Sequence, residues 1–542
     1  MSASKNKMTE RQRQEAQEAK KLKAYTTTFW IVLALCLCIV VTTVLSNPVK
    51  NVLYKNHTAI TVGNHEVSSV QLNYFFVDTV NEYVNQLGNY VSIVIDTTKP
   101  LNKQVVDKET GETWADSFLK TAESTLKRTY ALYDLAMEKG FKLEEDDEKS
   151  IDTQITNMEF YAMYYGYADV KTYLQGVYGN GADEESYREY QRINLIADRY
   201  YAEYADTLDY TDEQIRDYEA GKDGEGENAK DRFHNFSSVT YSFYYLPYTK
   251  WAPTKDADGK EVKYTDEQLK DAREKAKAAA DALAAGKYED LDAFDKAIAA
   301  LEINKDQKTG ITCTRKEDVL CSTTNAPFPS FKEWLIEKGR TEGDLTVIEN
   351  STGEGDKKVI NGYYVVRFGS LDENRFNLKD VRHILIQFEG GKYNSTTGQT
   401  TYTDAEKKAA LEKAEKIYND WIKAGATEEA FKDLVEEHSA DEGSVEDGGL
   451  YENVYPGQMV EKFEEFCYAE DRKPGDHGIV ESTYGYHIMF FVGDSDVTFR
   501  DFMIKAELQQ DELKEWLDDL VEKQHYELVS NKHVEMDMIL GA

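Results

Sequence analysis

One stretch of this 542-residue chain is written twice, and that duplication restricts the fold more than any other feature. The segment "KYTDEQLKDAREKAKA" at 263–278 returns as "TYTDAEKKAALEKAEK" at 401–416, aligning Tyr264 with Tyr402, Thr265 with Thr403 and Asp266 with Asp404. A Gly and then an Ala-Phe pair follow each copy, as Gly286, Ala293 and Phe294 and as Gly425, Ala430 and Phe431. Further on, "EGD" at 342–344 parallels "PGD" at 474–476, and "NGYYVVRFGS" at 361–370 parallels "YGYHIMFFVG" at 484–493. Helical periodicity alone can make Lys/Glu-rich pieces look alike, but an ordered series of strand, helix, Phe, Gly-Asp and strand marks an internal repeat. Each copy reads as an α+β unit of about 110–135 residues, within the usual range of a single domain.

The chain ahead of the repeats is helical in pattern from about 58 to 235. Apolar and aromatic residues recur at three and four spacing in "SSVQLNYFFVDTVNEYVNQL" at 68–87, "WADSFLKTAESTLKRTYALYDLAMEKG" at 114–140 and "DEESYREYQRINLIADRYYAEYADTL" at 183–208. Tyr lines these stripes. Helix packing accounts for it, and so does an adaptable groove for unfolded chains, since Tyr offers apolar area with a hydroxyl. The charged, glycine-rich tract "GKDGEGENAKD" at 221–231 marks a boundary before the first repeat. After the second repeat, "RDFMIKAELQQDELKEWLDDLVEKQ" predicts an amphipathic helix that needs a surface to pack on, and the helical region is the candidate.

Residues 1–25 carry Lys5, Lys7, Arg11, Arg13, Lys20, Lys21 and Lys23, and the apolar run "FWIVLALCLCIVVTTVL" follows at Phe29–Leu45. At about 1.5 Å per residue, Thr26–Ser46 spans about 31 Å, one bilayer core, so a transmembrane helix is expected over 26–46 with a cytoplasmic basic tail at 1–25. A cleaved leader ending near Val44–Ser46 is the alternative, and a lipoprotein is disfavoured because Leu precedes both Cys36 and Cys38. The expected location is thus the cell membrane, single-pass, with the bulk of the chain on the extracytoplasmic side. Against 64 Lys and Arg stand 100 Asp and Glu, a net charge of -36, which excludes nucleic acid as a partner. Outside the apolar run only Cys313, Cys321 and Cys467 remain, too few for a disulfide framework, although Cys313 and Cys321 are close enough to bridge a hairpin. The histidines show no metal-ligand spacing, so neither a metal site nor a cofactor is expected.

The chemistry concentrates in the second repeat. "DVRHILIQF" at 380–388 alternates as a strand with Val381, His383 and Leu385 on one face, and "ESTYGYHIMFF" at 481–491 carries a second histidine, His487, in a core strand. Between them lie "EEHSADEGSVEDGGLYENVYPGQMVEKFEEF" and "KPGDHGIVES". In order and spacing, residues 377–493 resemble the parvulin (PpiC-type) peptidyl-prolyl isomerases. That resemblance implies a catalytic group of His383, Asp441, His487 and Ser482, with the paired histidines on adjacent strands and the Ser482 hydroxyl beside the first of them. It further implies an apolar wall of Leu450, Met459 and Phe463 that receives a proline ring. Tyr451 departs from the family, which usually has Gly there. The loop 389–404 carries only Lys392 as a basic residue, so recognition of phosphorylated Ser-Pro is not expected.

Matching the copies puts Tyr241 opposite His383, Tyr364 opposite His487, Pro327 opposite Met459 and Phe331 opposite Phe463, so the first copy reads as a degenerate, noncatalytic unit. The expected fold class is α+β: the transmembrane helix, a helical SurA-N-like chaperone domain at 58–235, a degenerate parvulin-like domain at 236–372, a parvulin domain at 377–495, and a C-terminal helix and tail at 497–542 packing back on the helical domain. This arrangement resembles the PrsA-like and SurA-like extracytoplasmic foldases. It implies isomerisation of X-Pro bonds in unfolded or partly folded exported polypeptides, with a holdase of little turnover or an envelope scaffold as alternatives. Oligomeric state stays open, a homodimer included.

Overall fold

The computed structural model describes residues 49–222, 232–255, 259–305, 311–353, 355–394 and 398–540. They form two compact units, one running to Asp209 and resuming at Gln509, the other spanning Tyr210–Leu508. The expected basic tail at 1–25 and transmembrane helix at 26–46 lie outside the described residues. Among the described residues no helix is long and apolar enough to cross a membrane. The longest, the 26-residue Trp114–Lys139, carries Lys120, Glu123, Lys127, Arg128 and Asp134 along its length. The fold class is therefore corrected from a membrane-spanning α+β chain to a mixed arrangement of helices and antiparallel sheets.

Residues 58–68 of the first unit form strands where helix was expected. β1 (Thr58–Val62) and β2 (His65–Ser68) form a hairpin, and β13 (Tyr526–Leu528) pairs with β1, Ile60 facing Leu528. Strands of four and five residues are too short to show a period of two, which hid them in the sequence. The helices Ser69–Leu87, Trp114–Lys139 and Glu184–Asp206 occupy the stretches where three-and-four spacing predicts them. Their starts are fixed by side chains. The Ser68 hydroxyl accepts from the Gln71 N–H at 3.2 Å, and Thr113 and Asp116 form a reciprocal capping box. Gly140, with φ of 78°, closes the second helix in the left-handed conformation. Leu72, Phe76, Leu126 and Tyr190 are buried in one core. In the same unit, Trp516 of the helix Phe499–Glu522 stacks on Tyr204 at 4.1 Å.

The second unit contains two four-stranded antiparallel sheets of matching order. The first runs β4-β3-β6-β5, from β3 (Ser238–Pro247), β4 (Thr314–Leu320), β5 (Leu345–Thr352) and β6 (Val359–Asp372). The second runs β10-β7-β12-β11, from β7 (Asn377–Gln387), β10 (Leu450–Val454), β11 (His477–Glu481) and β12 (Gly485–Thr498). A two-stranded hairpin of β8 (Lys392–Asn394) and β9 (Gln399–Thr401) precedes the second copy's first helix. The shared "YTD" has a structural cause. Thr265 and Thr403 are the N-caps of helices Asp266–Ala284 and Asp404–Lys423, each in a capping box with the residue three places on, Gln268 or Glu406. Replacing Thr403 by Ala should lower stability by about 1 kcal/mol in urea unfolding, with no change in the folded spectrum.

Alternation then sorts each central strand onto two faces. In the second sheet, Ile384, Ile386, Ile488 and Phe490 pack with Trp421, Phe431 and Val435 of the helices Asp404–Lys423 and Glu428–His438. On the other face, Val381, Met489 and Phe491 pack with Phe463 and Phe466 of the helix Glu461–Cys467. Cys313, Cys321 and Cys467 are free and buried, so the bridge that the sequence left open is not formed. The reason is geometric: Cys313 precedes β4 and Cys321 follows it, and seven extended residues hold their backbones about 23 Å apart, far beyond disulfide reach.

Candidate active site

The two histidines meet on neighbouring central strands. β7 and β12 are antiparallel, with His487 opposite Leu385 and His383 opposite Met489, so the imidazoles are diagonal neighbours on one face. His383 and His487 are both buried, their rings stacked at 5.2 Å, with Nδ1 to Nδ1 at 3.0 Å. Phe463 presents its ring at steep angles to both, 5.4 Å from His383 and 5.5 Å from His487.

The polar partners fix the proton on His383 Nε2, and the other contacts follow from the tautomer of the pair. His383 Nε2 lies 2.7 Å from Asp441 Oδ2, and a carboxylate can only accept, so His383 carries its proton on Nε2. With that single proton on the ring, its Nδ1 accepts the Nδ1–H of His487. That leaves His487 Nε2 bare, to accept from the Ser482 hydroxyl at 2.7 Å. The result is one directed row: Ser482 to His487 to His383 to Asp441. Asp441 Oδ2 also accepts from the Ser444 hydroxyl at 2.7 Å and the Tyr451 hydroxyl at 2.9 Å. All of these bonds converge on one carboxylate oxygen, so Oδ1 has no hydrogen-bond partner among the described residues.

The electrostatics follow from those partners. The hydrogen bond from His383, reinforced by those from Ser444 and Tyr451, holds the Asp441 carboxyl well below the usual carboxylate range, against the opposing effect of burial. Burial, with a smaller contribution from His383, pushes the His487 imidazole down from 6.5 to about 4, so it is neutral at pH 7. Burial and the hydrogen bond to Asp441 push the Tyr451 phenol up to about 12. The site thus sets an ionised carboxylate at one end of the histidine pair and a neutral His487 ring at the other.

The sequence-predicted residues distribute unevenly. His383, His487, Asp441 and Phe463 are brought together. Ser482 joins them, but on His487 rather than beside His383 as the resemblance implied, because the turn from β11 into β12 places it five residues before His487. Met459 is half-buried and packs on the cluster that contains Phe463 and Met489. Leu450 lies opposite Arg382, on the face turned away from His383, whereas Tyr451 lies opposite Val381 on the histidine face, its ring 5.3 Å from His383. Tyr451 therefore occupies the place at the histidines that the sequence gives to Leu450. Ser444 was missed altogether. A serine two residues into a short helix, Glu442–Val445, carries no pattern, and only the fold brings it to Asp441.

The first sheet rebuilds the same ring arrangement with phenyl and phenol rings in place of the imidazoles. Tyr364 pairs with Tyr245 as His487 pairs with Leu385, so two residues back along β3 it is Phe243, not Tyr241, that takes the place of His383. Phe243, Tyr364 and Phe331 have centroid distances of 5.7, 5.1 and 5.4 Å, close to those among His383, His487 and Phe463. Tyr241 stands in the register of Val381. The two-residue offset preserves the face, which is why the sequences alone did not reveal it.

Residues 363–493 match the family described as the PPIC-type PPIASE domain. This part of the chain is similar to PpiC-type domains. The match starts within β6, ahead of the region 377–493 in which the sequence motifs lie. Foldase protein PrsA 1 of Listeria monocytogenes serotype 4b (strain F2365) is 45% identical over 64 residues, which are 12% of this chain and 22% of that protein. Foldase protein PrsA 3 of Bacillus cereus is 31% identical over 126 residues, 23% of this chain and 41% of that protein. The chain thus spans well under two thirds of the length of the curated relatives it matches. Among solved structures, the peptidylprolyl isomerase PrsA of Bacillus anthracis shows 22% identity over 28% of this chain and 61% of that chain, with a TM-score of 0.17. A likeness at that score says nothing about the arrangement of the whole chain.

Proposed function

We propose that this protein is a foldase that catalyses cis/trans isomerisation of X-Pro peptide bonds in exported polypeptides, outside the cytoplasm, and holds those polypeptides while it does so. The observation that carries the reading is the row Ser482, His487, His383 and Asp441, set in a stretch that matches the PPIC-type domain. The foldase relatives support it for the region they share. Rotation about the amide makes and breaks no covalent bond, and the barrier is about 18–20 kcal/mol. A site need only favour the twisted amide over both planar forms, and a thousandfold gain requires about 4 kcal/mol of such preference. The imidazole pair suits that requirement, because it positions Asp441 and shapes the local field while Phe463 and Met459 supply apolar surface for a pyrrolidine ring. No nucleophile and no cofactor enters.

The test is prolyl exchange of a short X-Pro peptide by the full chain. Acceleration is expected, and His383→Ala should lower it by about a hundredfold, equivalent to about 2.7 kcal/mol. An unaccelerated peptide, or a His383→Ala variant as fast as the parent, would overturn the reading.

A further inference from the structure

The first unit displays aromatic residues where a globular surface would hide them. The helix Glu145–Tyr165 buries Ile151, Ile155 and Ala162, yet on its other side Phe160, Tyr161, Tyr164 and Tyr165 are all exposed. Met163 and Tyr164 are 72% and 71% exposed. The rings are not scattered. Tyr165 meets Tyr164 at 5.0 Å, Tyr164 stacks on Phe160 at 6.3 Å, Phe160 meets Tyr161 at 5.9 Å, Tyr161 stacks on Tyr173 at 6.4 Å, and Tyr173 meets Tyr167 at 5.5 Å. Six rings make one continuous ladder. Exposed apolar patches of this kind mark interaction sites.

The charges beside the ladder select its occupant. An open cleft of about 750 Å3 adjoins it, with Met163, Tyr167, Glu159, Asp169, Glu185 and Lys171 on its walls. Asp183 and Glu184, also at the cleft, are neutralised by Lys55 and Arg188. Glu159, Asp169 and Glu185 form no ion pair among the described residues, which leaves three carboxylates against Lys171. A second copy of this chain, itself of net charge -36, would bring like charges together, and an anionic lipid surface would do the same. A cation gains from both features: the carboxylates attract it, and a tyrosine ring face binds it.

We propose that the ladder from Tyr165 to Tyr167 is a docking surface for a basic, unfolded polypeptide segment, its Lys and Arg side chains lying on the ring faces beside Glu159 and Glu185. This rests on the foldase reading and names the class of client: chains in which basic residues alternate with apolar ones. The ladder has no part in the chemistry at the histidines.

The experiment measures binding of labelled, proline-free peptides of equal length to the full chain by fluorescence anisotropy. One peptide alternates Lys and Arg with apolar residues, one has Gln in place of the bases, and one has Glu. The basic peptide should bind about tenfold tighter than the Gln peptide and lose that advantage at high salt, while the Glu peptide binds weakest. Phe160→Ser with Tyr164→Ser should weaken the basic peptide about tenfold. Glu159→Gln with Glu185→Gln should remove the preference for bases and retain the Gln peptide. Both double variants should keep full prolyl exchange on a short peptide, so loss of exchange in the parent chain would count against the foldase reading and not against the ladder. Equal affinity for the three peptides, or a Phe160/Tyr164 variant that binds like the parent, overturns the proposal. So does concentration-dependent self-association that this variant abolishes, which would make a second copy the occupant.

Discussion

Phe463→Ala should lower the stability of the second unit by about 3–5 kcal/mol and slow prolyl exchange at least about tenfold. Phe463 is 2% exposed, and its ring is wedged against both imidazoles as well as the apolar face of β7 and β12. Its removal leaves a cavity where the histidines are most tightly held, so the rings gain freedom to swing out of line. Phe331 is the control. It is equally buried and touches Phe243 and Tyr364 in the same arrangement. Phe331→Ala should therefore cost a similar amount in urea unfolding and leave prolyl exchange untouched. Equal loss of exchange in both variants would mean that the first copy shares in the reaction, contrary to its lack of a histidine pair.

Acid should destabilise the second unit in a window set by His487. Its folded value is about 4, below the 6.5 of a free imidazole. Between those values the unfolded chain binds a proton that the folded chain refuses, so stability is constant above about pH 6.5 and falls as the pH drops towards 4. The loss from this residue is at most about 3.5 kcal/mol, at about 1.4 kcal/mol per unit. Asp441 acts in the same direction at lower pH, because its depressed carboxyl contributes stability that goes only as it protonates. The molecule itself shows a way to remove the effect. His383→Phe with His487→Tyr transplants the rings of the first sheet into the second, and urea midpoints at pH 7 and pH 4.5 should then lie closer together than in the parent. Prolyl exchange should vanish in the same variant. An unchanged gap between the two midpoints would show that His487 titrates normally.

Much of this site was legible in the sequence because strand alternation is strict. A period of two fixes His383 with Val381 and Leu385 on one face, and a second histidine in an equally apolar strand invites pairing. The same strictness concealed other features. An offset of two residues leaves every side chain on its original face, so Tyr241 and Phe243 could not be told apart without the register of β3 against β6. The choice between Leu450 and Tyr451 depended on which of them faces Val381, a property of the β7 to β10 pairing and not of either residue. Ser444 and the partner of Ser482 depended on turns, where no periodicity exists. Within the first unit, the long helices announced themselves by their spacing and caps, whereas the strands Thr58–Val62 and His65–Ser68 were too short to do so.

The hydrogen bonds between Ser482 and Asp441 run head to tail. With one proton on each imidazole, each group hands its hydrogen in the same sense and the row ends on a single charged oxygen, so the four groups behave as a polarised wire. A proton added at His383 Nδ1 would turn the two links beyond it around while the link to the carboxylate stays as it is. A substitution at Ser482, the far end, is therefore transmitted to Asp441 although the two side chains never touch.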